Sequence, residues 1–203
     1  MNAIGKVRDY KVELCDRKDI STFIEKWHYS KNVNGLTITY CFKLLDITNQ
    51  LIGAIIYGKI AMANVWKKYG DKETDVIELK RLCCIDNTPK NTESFFIGST
   101  LRYLKKHTNF KTVISYADTF YNHEGIVYKA SNFTYNGQTS KGKFIIYNEK
   151  RYHDKTIRTK YKGEIKPFAK RIIEALKTGE ATYQNTNGKH IYLYNLLTKN
   201  NKV

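Results

Sequence analysis

The sequence predicts an α/β fold of mixed type, with a central mixed sheet flanked by helices on both faces. Two observations favour it. Segments rich in β-branched and aromatic residues alternate along the chain with segments in which apolar residues recur at helical spacing. No repeat, proline-rich linker or low-complexity stretch interrupts this alternation in the 203 residues. The pattern therefore predicts a single domain over 1–203 with its sheet between helices.

Each element follows from a local pattern. The segments 36–46 and 50–60 predict a hairpin, because both are rich in β-branched and aromatic residues. Further strands are predicted at 10–14, 75–86, 111–118, 143–147 and 190–197, and helices at 17–28, 93–108, 123–133 and 166–179. The last helix has Pro167 near its first turn and Gly179 after its end, and with the last strand it forms a C-terminal helix–strand extension.

The formal net charge of +16 is more than a fold needs, and it favours a nucleic-acid or acidic-membrane partner. No apolar run is long enough to span a membrane, and residues 1–14 lack the pattern of a signal peptide. The cysteines Cys15, Cys41, Cys83 and Cys84 form no metal-type pair. We therefore expect reduced thiols and a place in the cytoplasm.

Asp118 ends the strand 111–118, and the carboxyl ends of central strands are where such sheets bind ligands. A carboxylate there can act as a general base, hold a cationic group or bind a metal. His123, Glu124 and Tyr128 follow within ten residues. The alternative interpretation is an aspartate that only forms the turn or caps the next helix.

His28 and Tyr29 follow the apolar face of the first long helix. In the functional interpretation, His28 is a proton carrier or a metal ligand and Tyr29 lies beside it. The alternative is a histidine that only satisfies the last carbonyls of the helix.

The segment 78–98 runs from a strand through a polar loop into a helix, and helix N-termini bind anions. Thr92 or Asn91 can cap this helix, Ser94 lies in its first turn, and Arg81 and Lys90 add positive charge. The loop is thus a candidate pyrophosphate site, although an ion pair between Arg81 and Glu78 is an equal alternative.

A basic segment at 141–171 holds eleven Lys or Arg against three acids, with tyrosines interleaved. Basic residues mixed with aromatic ones are typical of phosphate contacts combined with base stacking. The predicted DNA contacts in it are Lys150, Arg151, Lys155, Arg158 and Lys160.

The chain resembles the Mom family of phage DNA-modification proteins in six motifs that occur in the same order over about residues 25–160. They are WHYS, GAIIYGK, ELKRLCCIDNTPKNTESFFIG, SYAD, GIVYKASNF and KRYHDKTIRTK. Two features depart from the pattern: the stretch from Arg81 to Ser94 contains no glycine, and Thr119 stands where the family has a proline.

The resemblance implies the fold of the acetyl-CoA-dependent N-acetyltransferase superfamily. It also implies a reaction, the conversion of the exocyclic amine of adenine in double-stranded DNA to a carbamoylmethyl derivative that resists host restriction. The implied donor is acetyl-CoA or a related acyl compound, and iron is a further implied cofactor with His28 and Asp118 as ligands. The implied catalytic residues are Asp118, His28, Tyr29, Tyr128 and Tyr57, and the implied donor-binding residues are Arg81 and Ser94, beside Lys90 and Thr92.

Three other functions remain open at this stage. The same fold and charge suit an N-acetyltransferase that acts on a protein amine or an RNA base. A non-catalytic DNA-binding protein explains the charge but not the residues around Asp118. A nuclease needs several clustered acids for metal binding, and only Asp118 and Glu124 lie close together in the sequence.

Overall fold

A seven-stranded mixed sheet with the strand order β1-β2-β3-β4-β5-β12-β6 forms the centre of the fold. The computed structural model describes residues 3–158 and 160–197. Its strands are β1 Lys11–Cys15, β2 Tyr40–Leu45, β3 Leu51–Gly58, β4 Val76–Cys84, β5 Thr112–Asp118, β6 Thr134–Gln138, β7 Gly142–Tyr147, β8 Lys150–His153, β9 Lys160–Tyr161, β10 Glu164–Ile165, β11 Thr182–Thr186 and β12 Lys189–Asn195. Its α-helices are α1 Arg17–Trp27, α2 Thr92–His107, α3 Ile126–Ala130 and α4 Pro167–Thr178.

The chain divides into two compact units. Among the described residues, unit 1 consists of 3–117, 125–137 and 191–197, and unit 2 consists of 118–124, 138–158 and 160–190. Unit 1 contains α1 to α3 and most of the seven-stranded sheet, whereas unit 2 contains α4 and a three-stranded sheet in the order β11-β7-β8. The boundary falls inside β5, so Asp118 belongs to unit 2.

Helices cover both faces of the large sheet, as the sequence predicts. Ile55 and Tyr57 on β3 pack in the cluster that includes Phe96 of α2, while Ala54 and Ile56 pack in the cluster that includes Ile24 of α1. β3 is therefore buried on both faces, which explains why its sequence is continuously apolar and not alternating. The predicted hairpin is present as the antiparallel pair β2–β3.

Three of the predicted helices and the predicted strands of the large sheet occur close to their expected bounds, whereas the helix predicted at 123–133 is confined to Ile126–Ala130. The short strands β6 and β8 to β11 were not predicted, because their sequences are polar and largely exposed and so lack the apolar alternation that marks a strand. The predicted final strand is β12, which lies inside the large sheet between β5 and β6.

The four cysteines are free thiols, as expected. Burial raises the pKa of Cys41 to about 11 and that of Cys83 to about 12, so these thiols stay protonated at neutral pH. Within the described ranges, no helix combines the length and the apolar character that crossing a membrane requires.

Candidate active site

The parallel strands β4 and β5 part near their carboxyl ends. Their pairing extends from Val76 and Thr112 to Leu79 and Ser115, after which β4 continues to Cys84 without β5 beside it. The hydroxyl of Ser115 donates a hydrogen bond to the carbonyl of Leu79 at 3.2 Å, where the pairing ends. β4 also carries an irregularity in its pairing with β3 at Tyr57, a feature that bends a strand. A gap between two central strands is thus built into unit 1.

A cleft of about 460 Å³ lies at the N-terminal end of α2 in unit 1. The loop from Cys84 to Ser94 forms one wall, and the α3 residues Ile126, Val127 and Ala130 contribute apolar surface. Its charged side chains are Lys90, Asp86 and Glu93. The first-turn N–H groups and the dipole of α2 attract anions, but the two acids oppose this.

Three of the four predicted donor-binding residues line this cleft. Lys90 is exposed, while the hydroxyl of Thr92 donates to the carbonyl of Pro89 at 2.7 Å and that of Ser94 donates to the carbonyl of Asn91 at 3.1 Å. These two hydroxyls therefore stabilise the loop that leads into α2.

Arg81, the fourth of them, is not among the residues that line the cleft. Its Nε donates to the carbonyl of Asn32 at 3.2 Å, and its Nη1 donates to the carbonyl of Lys80 at 2.7 Å. Burial lowers the pKa of Arg81, and nearby Tyr29 and Glu78 oppose that shift. Arg81 therefore holds the loop that follows α1, and its contact with a pyrophosphate stays a prediction.

His28 ends α1, and its ring is buried. Its Nδ1 accepts a hydrogen bond from the backbone N–H of Ser30 at 3.1 Å. Since that backbone group can only donate, Nδ1 carries no proton, and the neutral ring carries its proton on Nε2. The side chain therefore contacts Ser30, in the loop that follows the helix. The ring of Tyr29 lies 4.2 Å from that of His28, measured between centroids, and Tyr29 is 39% exposed.

Tyr57 is buried in unit 1, and Tyr128 is partly buried against the same core cluster. Thr100 uses its hydroxyl proton on the carbonyl of Ile97, so the hydroxyl of Tyr57 donates to the oxygen of Thr100 at 2.7 Å. Burial raises the pKa of both phenols, and a hydrogen bond with Ser115 opposes the shift of Tyr128. Both side chains are consequently neutral hydrogen-bonding groups at physiological pH and not phenolates.

A buried ion pair between Glu78 and Lys80 is the main polar feature of unit 1 that the sequence interpretation missed. Lys80 Nζ lies 3.1 Å from Glu78 Oε2, and their side chains are 3% and 13% exposed. The same carboxylate oxygen accepts from the backbone N–H of Ala61, and Glu78, after burial, contributes to the raised pKa of Tyr116. The signal was two opposite charges at i and i+2 in an apolar strand, which places both on one face. An ion pair of Arg81 with Glu78 or another acid was the alternative raised from the sequence, and the structure pairs Glu78 with Lys80.

Asp118 is buried in unit 2, and both its carboxylate oxygens have partners. Oδ1 accepts from the backbone N–H of Phe120 at 3.1 Å, which caps the 3₁₀ turn Thr119–Tyr121. Oδ2 lies 3.2 Å from Lys189 Nζ and 3.8 Å from Arg151 Nη1. The capping alternative raised for this residue is therefore present in the structure, together with ion pairs to Lys189 and Arg151.

The predicted DNA contacts in unit 2 separate into two groups. Lys150, Lys155, Arg158 and Lys160 are exposed, and Arg158 pairs with Asp154. The Arg151 side chain is only 14% exposed, and it lies between the rings of Phe120 and Phe144. The guanidinium of Arg151 is thus enclosed by two rings and lies 3.8 Å from Asp118, and its contact with a phosphate stays a prediction.

The expected iron site finds no support in the donor atoms. In 3–158 and 160–197, no group of three or more His, Cys, Asp or Glu is arranged to hold a metal ion. Of the two proposed ligands, His28 lies in unit 1 with Nδ1 bound to Ser30, and Asp118 lies in unit 2 with both oxygens in ion pairs or hydrogen bonds. The residues present do not fit iron.

Solved structures with this fold are N-acetyltransferases. A mutant spermidine N-acetyltransferase from Vibrio cholerae matches with a TM-score of 0.52 and 10% identity, over 93% of this chain and 95% of that one. The ribosomal-protein-S5-alanine acetyltransferase from Vibrio fischeri matches with a TM-score of 0.51 and 10% identity, over 93% of this chain and 94% of that one. At such identities the likeness shows the fold alone, which is the N-acetyltransferase fold that the resemblance implied.

The chain belongs to the Mom protein family, whose profile matches residues 9–203. One relative, the methylcarbamoylase mom of Escherichia phage Mu, is 29% identical over 161 residues. The aligned part covers 77% of this chain and 65% of the relative, slightly less than two thirds of the relative's length. The predicted family is thus confirmed.

Proposed function

We propose that this chain is a transferase that modifies adenine in phage DNA, joining a carbamoylmethyl group to the exocyclic amine and so protecting the DNA from restriction. The observation that carries the proposal is membership of the Mom family over residues 9–203, together with the likeness to a phage methylcarbamoylase. The N-acetyltransferase fold agrees with transfer of a group to an amine.

The cleft at the start of α2 is the proposed donor site. It combines the anion-attracting end of a 16-residue helix with apolar α3 side chains, which suits a donor with a charged and an apolar part, such as acetyl-CoA or a related acyl compound. Bound there, the donor supplies an electrophilic carbon. The product has a nitrogen–methylene bond, whereas attack on the thioester carbonyl of acetyl-CoA would expel the thiolate and give an amide. A donor for this product would therefore carry the carbamoylmethyl group on a leaving group. The amine would attack the methylene carbon, the bond from that carbon to the leaving group would break with its electron pair, and the amine would lose one proton.

The residues of the chain would then orient the amine and handle its proton. Because Nδ1 of His28 accepts from the backbone N–H of Ser30, the ring proton is assigned to Nε2, which would serve as a hydrogen-bond donor. Tyr128, a neutral phenol, is a second donor group. A carboxylate such as Asp118 is the type of group that accepts from an adenine amine or takes its proton when the nitrogen–carbon bond forms. The exposed Lys150, Lys155, Arg158 and Lys160 would bind the DNA backbone.

Adenine presents its amine to the enzyme only when it leaves the base stack, because the amine is paired within the duplex. We therefore expect the substrate to be an extrahelical adenine, with the backbone on either side held by the basic segment 141–171.

The test is to express the chain in a bacterial host, digest the host DNA to nucleosides and analyse them by mass spectrometry. We expect a new adenosine species with the mass increment of a carbamoylmethyl group. His28→Asn is the matched variant, since an Asn oxygen can replace Nδ1 as acceptor for Ser30 while the Nε2–H is lost. It should keep the folded protein and abolish the new species.

The other outcomes separate the alternatives. An acetyl increment would keep the fold but replace the reaction. A modified RNA base or protein amine with unmodified DNA would identify a different N-acetyltransferase. Unmodified DNA together with intact DNA binding would indicate a non-catalytic DNA-binding protein.

A further inference from the structure

Two neighbouring aromatic side chains in unit 2 are exposed directly after Asp118. Phe120 is 40% exposed and Tyr121 is 38% exposed, and their ring centroids lie 5.1 Å apart at an interplanar angle of 83°. Phe120 has no polar group that would explain its exposure. Phe120 and Tyr121 thus place two adjacent exposed rings on a strongly basic unit.

The ring of Phe120 is supported from inside the unit by a cation. The guanidinium carbon of Arg151 lies 3.9 Å from the centroid of Phe120 and 3.3 Å from that of Phe144. Phe144, Arg151 and Phe120 therefore form a continuous stack, and its last ring is partly open to solvent. We call these three residues the aromatic–arginine stack.

The stack is rigid before any ligand binds. Asp118 accepts from the backbone N–H of Phe120 and pairs with Arg151, and the hydroxyl of Thr119 donates to the carbonyl of Gly188 at 2.6 Å. A ring that is already held in place loses little conformational entropy on binding, so its contact energy is retained as affinity.

The net charge of unit 2 indicates which class of ligand the stack would bind. Unit 2 carries thirteen Lys and Arg against seven Asp and Glu, which favours a polyanion. The guanidinium of Arg151 is buried beside Asp118, so the surface that the stack presents to a ligand is the ring of Phe120. An apolar ring on a basic surface suits the flat face of an unpaired nucleobase, with the backbone held by the exposed lysines Lys150 and Lys155.

We propose that the exposed ring of Phe120, flanked by Tyr121, is a stacking site for an unpaired base of DNA. This inference rests on the proposed function, since it names the residue that holds the base once the duplex is opened. Stacking needs only the π-face that every base has, so the site should accept any unpaired base.

The experiment compares Phe120→Ala with Phe168→Ala. Phe168 is a matched control, because it is 37% exposed and lies in the same unit but packs against Tyr152 instead of Arg151. Binding of each purified protein is measured by fluorescence anisotropy, with a perfect duplex and with the same duplex carrying one unpaired base. Phe120→Trp is the conservative variant.

We expect Phe120→Ala to weaken binding of the duplex with the unpaired base by about ten-fold, the scale of one lost stacking contact. Binding of the perfect duplex and the dependence on salt should stay unchanged, because Phe120 carries no charge. Phe168→Ala should bind both duplexes like the unsubstituted protein. Phe120→Trp should again bind the duplex with the unpaired base more tightly than the perfect duplex. Equal weakening for both duplexes, or no weakening for either, would overturn the stacking site.

The same variants separate this inference from the proposed function. If the unsubstituted protein modifies no DNA but Phe120→Ala loses the preference for the unpaired base, the stacking site is supported and the proposed reaction fails. If the unsubstituted protein modifies adenine and Phe120→Ala keeps the preference, the reaction is supported and the stacking site is overturned.

Discussion

Gly125 illustrates how a single residue positions the short helix α3 in unit 1. It precedes Ile126 with a backbone φ of +69°, a conformation that glycine adopts without strain. A Cβ atom placed on it would lie 2.2 Å from Cε2 of the buried Tyr192, which is in contact with Tyr128. The absence of a side chain at Gly125 thus allows the ring of Tyr192 to support α3 and the candidate site residue Tyr128.

We expect Gly125→Ala to destabilise the protein by about 3 kcal/mol, from left-handed strain and from overpacking against Tyr192. Gly137→Ala is the matched control, since Gly137 has a φ of +81° but no atom within 4 Å of its Cβ position. It should cost only about 1 kcal/mol. The measurement is urea unfolding of both variants, and equal costs would mean that the ring of Tyr192 moves aside freely.

His28 shows at the same scale what a local pattern leaves undecided. The end of α1 was predicted correctly, because the apolar spacing stops at Trp27. The contact of His28 with Ser30 was not predicted, since the helix carbonyls were an equally good partner in sequence terms.

The 3₁₀ turn after β5 is the element on which the interpretation of Asp118 depends. The carboxylate of Asp118 caps this turn and pairs with Arg151 and Lys189, so removal of Asp118 would affect structure as well as chemistry. Loss of activity in Asp118→Ala alone would therefore not identify a catalytic group.

A double-mutant cycle between Asp118 and Arg151 separates the two roles. Asp118→Asn keeps an acceptor for the N–H of Phe120 but removes the negative charge beside the buried guanidinium of Arg151. We therefore expect the free energy of unfolding to fall by about 3 kcal/mol. Arg151→Met in the same protein should recover most of that loss, because it removes the uncompensated charge. Urea unfolding of the four proteins gives the coupling energy.

The modification assay on the double variant then decides the catalytic question. A stable double variant that leaves adenine unmodified supports a catalytic carboxylate. A stable double variant that modifies adenine normally would restrict Asp118 to holding the turn. Additive unfolding costs in the cycle would instead show that the ion pair contributes little.

The helices α2 and α4 could be predicted from the sequence, whereas the strand β11 could not. The bounds of α2 and α4 follow from apolar spacing and end signals such as Pro167 and Gly179, all of which are local. β11 has four exposed positions out of five, so only its pairing with β7 makes it a strand.

At the scale of the whole molecule, the charge of +16 is the dominant feature and determines how the chain should bind DNA. Each exposed cation that contacts a phosphate releases a counterion, so the logarithm of affinity falls linearly with the logarithm of salt concentration. Removal of an exposed lysine of unit 2 should therefore weaken the salt dependence of DNA binding, whereas removal of the buried Arg151 should not.

We expect Lys150→Ala, Lys155→Ala and Lys160→Ala each to reduce the salt slope of duplex binding by about 0.9. Lys177→Ala is the control, because Lys177 is exposed but pairs with Glu174 on α4, outside the basic segment. Arg151→Met should leave the slope unchanged. The slopes come from anisotropy titrations at several salt concentrations, and a reduced slope for Arg151→Met would mean that its charge does reach the backbone.

Local information was enough for the family motifs, the four helices, the strands β1 to β5 and the basic character of the chain, because periodicity, end signals and composition depend on neighbouring residues. The partners of the charged and aromatic side chains depended on the tertiary structure. Lys80 and not Arg81 pairs with Glu78, and Arg151 stacks between Phe120 and Phe144 instead of facing solvent. Burial and pairing are set by which elements pack together, and residues far apart in the chain meet only after folding.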